Sequence, residues 1–247
     1  MKIKSPSVAI VILSWNDSKN TIECLKSVFK NDYLNFDIVL VDNNSAKYHF
    51  NNVLSWCKSQ NINTNLINTR KNFYKKKNKN LFISKINEVA NFPFAKNLGV
   101  ARGYNKGFNF VLKKNYDFFV RLDCDFIVPK NYIANLVKTF VKNKSAVAVS
   151  PKVYYYIKKK TKIIWWKELK FTKNYLRFHR TGKGGDRRVL DIGQFKGIIT
   201  SDSICGCCVM FKTSIVKKAI KDYPKRKTVL DEDFFFWSRR YGNITSN

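Results

Sequence analysis

The sequence predicts an α/β fold, a mixed, mainly parallel sheet flanked by helices, and three observations carry that expectation. Two nearly unbroken apolar runs, "VAIVILSW" (Val8 to Trp15) and "FDIVLVD" (Phe36 to Asp42), are rich in β-branched residues. Such runs mark strands covered on both faces, where alternation of apolar and polar residues disappears. Between them, "DSKNTIECLKSVFKN" places Ile22, Leu25 and Phe29 on one helical face, with Asp17 or Ser18 available as a cap. The same alternation then recurs along the chain, and β-α-β-α-β order favours a sheet built with right-handed crossovers.

The remaining elements follow in order. "VLSWCKSQ" reads as the end of a second helix and "NTNLINTR" as a third strand. A Lys/Asn-rich stretch to about Phe94 reads as an insertion with a short helix around Ile83 to Ala90. "FAKNLGVARGYNKGFNFVLKKN" reads as a glycine-punctuated turn running into a helix, and "YDFFVRLDCDFIVP" as a fourth strand. "NYIANLVKTFVKN" forms a helix behind Pro129, and "AVAVSPKVYYY" another strand. From about Lys158 aromatics, glycines and charges mix without a period, as expected of loops and short strands covering one end of the sheet. "CGCCVMFKTSIVKKAI" then reads as a strand feeding a helix. One domain over residues 1–247 accommodates all of this, since a chain of this length with 45% hydrophobic residues supports one good core.

Charge and cysteines narrow the partners. Lys and Arg number 47 against 17 Asp and Glu, a net charge of +30. That field attracts anions: nucleotides, phosphorylated lipids, nucleic acid or an acidic membrane surface. The dense run Arg70 to Asn80, "RKNFYKKKNKN", reads as a solvated loop. No nucleic-acid-binding module is recognisable, so nucleic acid is not an expected partner. The six cysteines fit no disulfide framework, which points to a reducing compartment. "CGCC" lacks a second ligand pair at metal-site spacing, so structural roles are expected for Cys205, Cys207 and Cys208 rather than zinc binding. No signal peptide is visible, and no apolar stretch reaches spanning length. The expectation is a cytoplasmic chain, soluble or touching a membrane from the side.

In open α/β sheets, ligands bind beyond the carboxyl ends of the strands. Four polar clusters fall at such ends: Ser14 to Asn16, Asp42 to Ser45, Asn97 to Gly107, and Asp123 to Asp125. Asp42 can accept a hydrogen bond from a base edge, or it can close an Asx-turn. The glycines at 99, 103 and 107 allow backbone to approach a ligand, with Arg102 and Lys106 near phosphate, or they belong to a turn entering a helix. Asp123 and Asp125 are read at one strand end, sharing a face. Their joint repulsion calls for a cation, either Mg²⁺ or Mn²⁺ with substrate phosphate, or a salt bridge to Arg121. Asp231, Glu232 and Asp233 precede four large apolar residues and either stabilise a helix N-terminus or include a general base.

In this order the motifs resemble those of the family 2 glycosyltransferases, which have the GT-A fold, and especially their rhamnosyltransferase-like branch. "VAIVILSWND" resembles the family's opening strand, "IVLVDNNS" its nucleotide-recognition strand and "NLGVARGYNKG" its Asn-x-Gly turn. "RLDCDFIVP" is similar to its Asp-x-Asp metal motif and "LDEDFFFWSRR" to its Glu-Asp base motif. "GKGGDRRVLDIGQFKGIITSDSICGCCVMFKTSIV" resembles the stretch through its acceptor-side strand. Residues about 68 to 93 exceed the family's usual link into the Asn-Gly turn.

The resemblance implies a nucleotide-sugar-binding half, residues 1–157, and an acceptor-binding half, residues 158–247. Asp42 would bind the base of a UDP- or dTDP-sugar, with Leu13, Ser14, Asn16 and Asn44 beside it. Asn97, Arg102 and Asn105 would line the donor pocket. Asp123 would contact the ribose or the metal, and Asp125 would hold Mn²⁺ or Mg²⁺ against the diphosphate. Gly206 would let the acceptor strand pass close to the sugar. Asp233 would be the base, with Glu232 and Asp231 as alternatives. The implied activity is inverting transfer to a saccharide, lipid-linked or protein-linked acceptor in glycan or glycolipid assembly, with a homodimer among the implied partners. Trp165 and Trp166, in a basic aromatic stretch, either rest on a membrane surface at its inner face or pack beneath the acceptor loop. A nucleotidyltransferase, a basic nucleic-acid-binding protein and a catalytically inactive relative stand as alternatives.

Overall fold

The computed structural model describes residues 5–62, 64–66, 81–85, 97–156, 162–166, 189–194, 196–201, 205–222 and 243–246. Five strands lie side by side and parallel: β3 (Thr64–Leu66), β4 (Leu81–Lys85), β2 (Phe36–Asp42), β1 (Val8–Ser14) and β5 (Phe118–Asp123). Beyond β5 come β11 (Cys208–Lys212), β6 (Ala146–Ser150), β12 (Asn243–Ser246) and β10 (Ile199–Ser201), completing a nine-stranded sheet. β11 runs against both β5 and β6, and β10 against β12, so the sheet is mixed and mainly parallel. A separate three-stranded antiparallel sheet consists of β7 (Val153–Tyr154), β8 (Ile163–Trp166) and β9 (Val189–Leu190).

Both faces of the large sheet are covered, as the unbroken apolar strands require. Val8, Ile10 and Ile12 of β1 face α1 (Ser18–Phe29), α2 (Lys47–Ser59) and α4 (Tyr132–Lys142), meeting Leu25, Val28, Cys57, Ile133 and Leu136. Ala9 and Val11 face the opposite way, toward α3 (Gly99–Leu112) and α5 (Thr213–Asp222), where Tyr104, Phe108, Val111 and Val216 close a second core. Asp17 caps α1, its carboxylate accepting from the Asn20 N–H at 3.1 Å. No helix among the described residues is long and apolar enough to cross a membrane.

Three local expectations are corrected. Ile83 lies in strand β4, inserted between β2 and β3, where the sequence suggested a short helix starting; residues 86–90 of that segment lie outside the described residues. Leu81 and Ile83 are fully buried, so pairing with β2 overrides the polar flanks. The glycine-punctuated segment is helical from Gly99 onward. A Cβ at Gly107 would collide with Val11 and sit 3.0 Å from Val41 Cγ2, so this glycine permits close helix-to-sheet packing, not approach to a phosphate. Asp125 lies in a turn after β5 has ended at Asp123, so the two acids do not share a strand face.

Candidate active site

Strand register assembles the site. Ser14 pairs with Asp42, and Leu13 with Asp123, so the carboxyl ends of β1, β2 and β5 stand in line. Asp42 is only 4% exposed, and its Oδ1 accepts the Ser45 N–H at 3.0 Å. The Asx-turn reading of Asp42 is therefore present, while its second oxygen takes no described hydrogen bond. Ser14 is buried and shares a 2.7 Å hydrogen bond with Thr21.

The loops beyond these strands are fixed by asparagines. Asn16 and Asn44 adopt positive φ, 51° and 64°, which asparagine tolerates better than most residues. Asn16 donates its N–H to Ser45 Oγ at 2.9 Å and accepts from the Ala46 N–H at 2.8 Å. Asn43, absent from the sequence-based site, is the hub: its amide donates to Asn97 Oδ1 at 2.6 Å, and its oxygen accepts the Leu98 N–H at 3.1 Å. Asn97 Oδ1 also accepts the Gly99 N–H at 2.6 Å, tying the start of α3 to the end of β2. Asn105 is buried one turn further on, whereas Arg102 is exposed on the outer side of α3. Lys106, considered beside Arg102 for phosphate, is likewise exposed.

Asp123 is gripped from α3. The Tyr104 hydroxyl donates to its Oδ1 at 2.5 Å and lies 3.0 Å from the Leu122 carbonyl. The Arg121 guanidinium lies over the Tyr104 ring, 4.4 Å from its centroid, and its Nε stands 3.7 Å from Asp123 Oδ1. Burial raises the Asp123 carboxyl above its ordinary range, against the opposing pull of the Tyr104 hydroxyl and Arg121. A divalent cation would relieve this desolvation by favouring the charged form. The Asp123 N–H donates to the Cys207 carbonyl at 2.8 Å, and a Cβ on Gly206 would lie 3.5 Å from Arg121 Nη1. Gly206 thus lies close to the Arg121 guanidinium. Burial pushes the Cys124 thiol, between the two acids, up to about 11.

The loop carrying Asp125 is tied to α1 by Ser27, whose Oγ accepts the Val128 N–H at 3.1 Å, and Asn31, just past α1, accepts the Ile133 N–H of α4 through Oδ1 at 3.1 Å. Beside this loop opens a cleft of about 810 Å³, lined by Asp123, Asp125, Ile127, Tyr132, Tyr154 and Trp165 among others. Trp165 is partly buried and packs against the core cluster that includes Tyr132, Ile133 and Leu136. Trp166 is the register partner of Val153. The Tyr132 hydroxyl is shielded from solvent and has no hydrogen-bond partner among the described residues. Leaving such a group unsatisfied costs about 1–3 kcal/mol.

The wall of the cleft is clamped. Asp191 accepts from Lys152 Nζ at 3.0 Å and from the Tyr154 hydroxyl at 2.5 Å, joining β7 to the segment after β9. The Tyr154 hydroxyl, the Gly193 N–H and Lys152 hold its carboxyl down at about 2. Asp231, Glu232 and Asp233 lie outside the described residues.

The glycosyl transferase family 2 model matches residues 9–88 and 87–219. The chain belongs to glycosyl transferase family 2. Its fold is GT-A, shared with a mannosyltransferase from Pyrobaculum calidifontis solved with GDP-Man and Mn²⁺ (TM-score 0.53, 15% identity, 87% of this chain and 47% of that one). It is shared also with S. aureus TarS 1–349 (TM-score 0.54, 14% identity, 98% and 58%) and with that protein in complex with UDP-GlcNAc (TM-score 0.55, 14% identity, 98% and 56%). This family 2 chain therefore spans about half the length of the solved structures it matches. No curated protein matches its sequence.

Proposed function

We propose that this family 2 chain is an inverting, metal-dependent glycosyltransferase that moves a sugar from a nucleoside-diphosphate sugar to a hydroxyl acceptor. The observation that carries this reading is the alignment of Ser14, Asp42 and Asp123 at the carboxyl ends of three adjacent strands, with Asp123 and Asp125 both lining the adjoining cleft. Complexes of structural neighbours with GDP-Man, UDP-GlcNAc and UDP support a nucleotide-sugar donor.

Asp42 is the acceptor for a base N–H, reached beside the backbone of Leu13 and Ser14. Asn43 and Asn97 set the distance between that base position and α3. Asp123 and Asp125 are hard oxygen donors, and two carboxylates suit Mn²⁺ or Mg²⁺, which complete their shells with phosphate and water. When bound, the cation would neutralise negative charge developing on the departing diphosphate. Tyr104 and Arg121 hold the Asp123 carboxylate in place before substrate arrives, so positioning is settled in advance. As the acceptor oxygen bonds to the anomeric carbon, the bond from that carbon to the diphosphate breaks. The acceptor's proton passes to a carboxylate of the acidic motif, Asp233 in our reading, with Glu232 and Asp231 as alternatives.

A panel of UDP-, dTDP- and GDP-sugars with Mn²⁺ tests the reading by thermal shift. Stabilisation by one nucleotide class, lost in Asp42→Ala and weakened in Asp125→Asn, is expected. A folded chain that responds to none of them contradicts the proposal.

A further inference from the structure

One end of the small antiparallel sheet is apolar. Leu190 pairs with Ile163, the Tyr155 N–H donates to the Ile163 carbonyl at 2.9 Å, and the Asp191 N–H donates to the Lys162 carbonyl at 2.8 Å. Tyr156 and Ile192 therefore leave the sheet on either side of Lys162. β7 and β9 flank β8 at strand spacings of about 4.8 Å, so the two exits start roughly 10 Å apart. Tyr156 is 85% exposed, Ile192 78% and Leu190 48%. Single exposed apolar residues are ordinary, whereas several gathered at one sheet end and rimmed by polar groups mark a contact surface. The rim here is basic. Lys162 and Lys196 are exposed, and Lys196 Cε lies 3.9 Å from where a Cβ on Gly193 would stand, next to Ile192. The five residues joining Tyr156 to Lys162 in sequence carry three more lysines and no acid. Asp191 is the one acid among the described residues of this region, and its carboxylate is taken up by Lys152, the Tyr154 hydroxyl and the Gly193 N–H. Nucleic acid would use the lysines but offers no place for exposed aliphatic side chains beside its phosphates. A lipid surface takes both, with anionic headgroups for the lysines and the acyl boundary for the apolar groups.

We propose that this sheet end docks the chain on an anionic lipid bilayer, with Tyr156, Leu190 and Ile192 entering the headgroup layer and Lys162 and Lys196 meeting lipid phosphates. No helix among the described residues is long and apolar enough to cross a membrane, and this contact needs none. Trp165 is partly buried against the core, so the aromatic anchor is Tyr156 and not the tryptophan that the sequence suggested. Tyr156 also lines the cleft beside Asp125, so docking brings the mouth of that cleft to the lipid surface. The proposal stands apart from the transferase reading and uses none of its donor-site residues.

Co-sedimentation of the full chain with vesicles tests it, using phosphatidylcholine alone and phosphatidylcholine mixed with phosphatidylglycerol, at low and high salt. A chain of net charge +30 adsorbs to anionic vesicles in any orientation, so the variants carry the test. Tyr156→Ser combined with Ile192→Ser changes no charge and touches only exposed side chains. It is expected to weaken binding to the mixed vesicles roughly tenfold and to remove the part that survives high salt. Lys162→Glu with Lys196→Glu should weaken binding well beyond Lys217→Glu with Lys221→Glu, since each lysine close to the surface contributes roughly fivefold. The second pair makes an equal charge change on α5, across the large sheet from the core cluster that Val153 and Trp165 join. Circular dichroism checks that every variant is folded. The proposal is overturned if the serine variant binds like wild type, if the two lysine pairs lose equally, or if neutral vesicles bind as tightly as mixed ones. It is overturned also if double-stranded DNA displaces the chain from mixed vesicles while the serine variant binds that DNA less tightly, or if sedimentation velocity shows a wild-type dimer that the serine variant dissolves.

Discussion

Removing one hydroxyl, with Tyr104→Phe, isolates how the first acid of the Asp-x-Asp motif is held. The ring stays: it stacks 5.5 Å from Phe108 and carries Arg121 at 4.4 Å, and phenylalanine preserves both contacts. What is lost is the 2.5 Å hydrogen bond from the hydroxyl to Asp123 Oδ1. A hydrogen bond to a charged group contributes about 1.5–3 kcal/mol, and one that orients a metal ligand affects metal affinity or activity by roughly ten- to hundredfold. With no cavity made, the melting temperature should fall only by what the lost bond contributes, roughly 3–12 °C at about 2–4 °C per kcal/mol in a chain of this size. The assay is donor turnover against Mn²⁺ concentration at fixed nucleotide-sugar. We expect kcat/KM to fall by roughly ten- to hundredfold with the metal activation curve displaced to higher Mn²⁺. A wild-type activation curve, whether or not turnover falls, refutes the role given to Tyr104.

Other expectations follow from neighbouring contacts. Gly107→Ala forces a methyl into Val11 and Val41; overpacking of about 1–3 kcal/mol outweighs a helix-propensity gain of up to about 1 kcal/mol, so thermal denaturation should show a lower melting temperature. At Gly103 the obstructing atoms are the flexible tip of Leu13, 2.6 Å from the added carbon, and Asn43 Nδ2 at 3.2 Å. Gly103→Ala should therefore cost less stability and instead weaken nucleotide binding, read by UDP titration. Asp42→Asn keeps an acceptor for the Ser45 N–H but not the carboxylate, so circular dichroism should be unchanged while donor KM rises. Asp191 has its folded pKa depressed to about 2 from 3.8, so its stabilisation is complete above about 3.8 and disappears as pH falls through about 2. Acid titration followed by tryptophan fluorescence should show Asp191→Asn less stable than wild type above that window and equal to it below.

The parallel core of the fold was legible because β1, β2 and β5 are buried on both faces and leave continuous apolar runs. β4 was not: Leu81 to Lys85 is a short run between polar flanks, and its strand character comes from pairing with β2, which no local pattern reveals. The same holds for β12, at the far end of the chain, which pairs with β6. At the site, Asp42, Asp123 and Asp125 stand out as carboxylates at the ends of apolar runs. Tyr104 reads as one more aromatic on an apolar helix face, and only the tertiary fold reveals its hydroxyl reaching across to Asp123. Asn43 was hidden in a polar cluster for the same reason, since its partners lie more than fifty residues away. The glycines of α3 were visible, but their use in packing against Val11 and Leu13 was not.

Product identity tests the central claim most directly. The chain is incubated with the nucleotide-sugar that stabilises it, Mn²⁺ and a saccharide acceptor, and the phosphorus products are followed by ³¹P NMR. Our account predicts a nucleoside diphosphate, formed only with metal and abolished in Asp125→Asn. Pyrophosphate as the product, or nucleoside diphosphate release that survives both metal removal and Asp125→Asn, would contradict it.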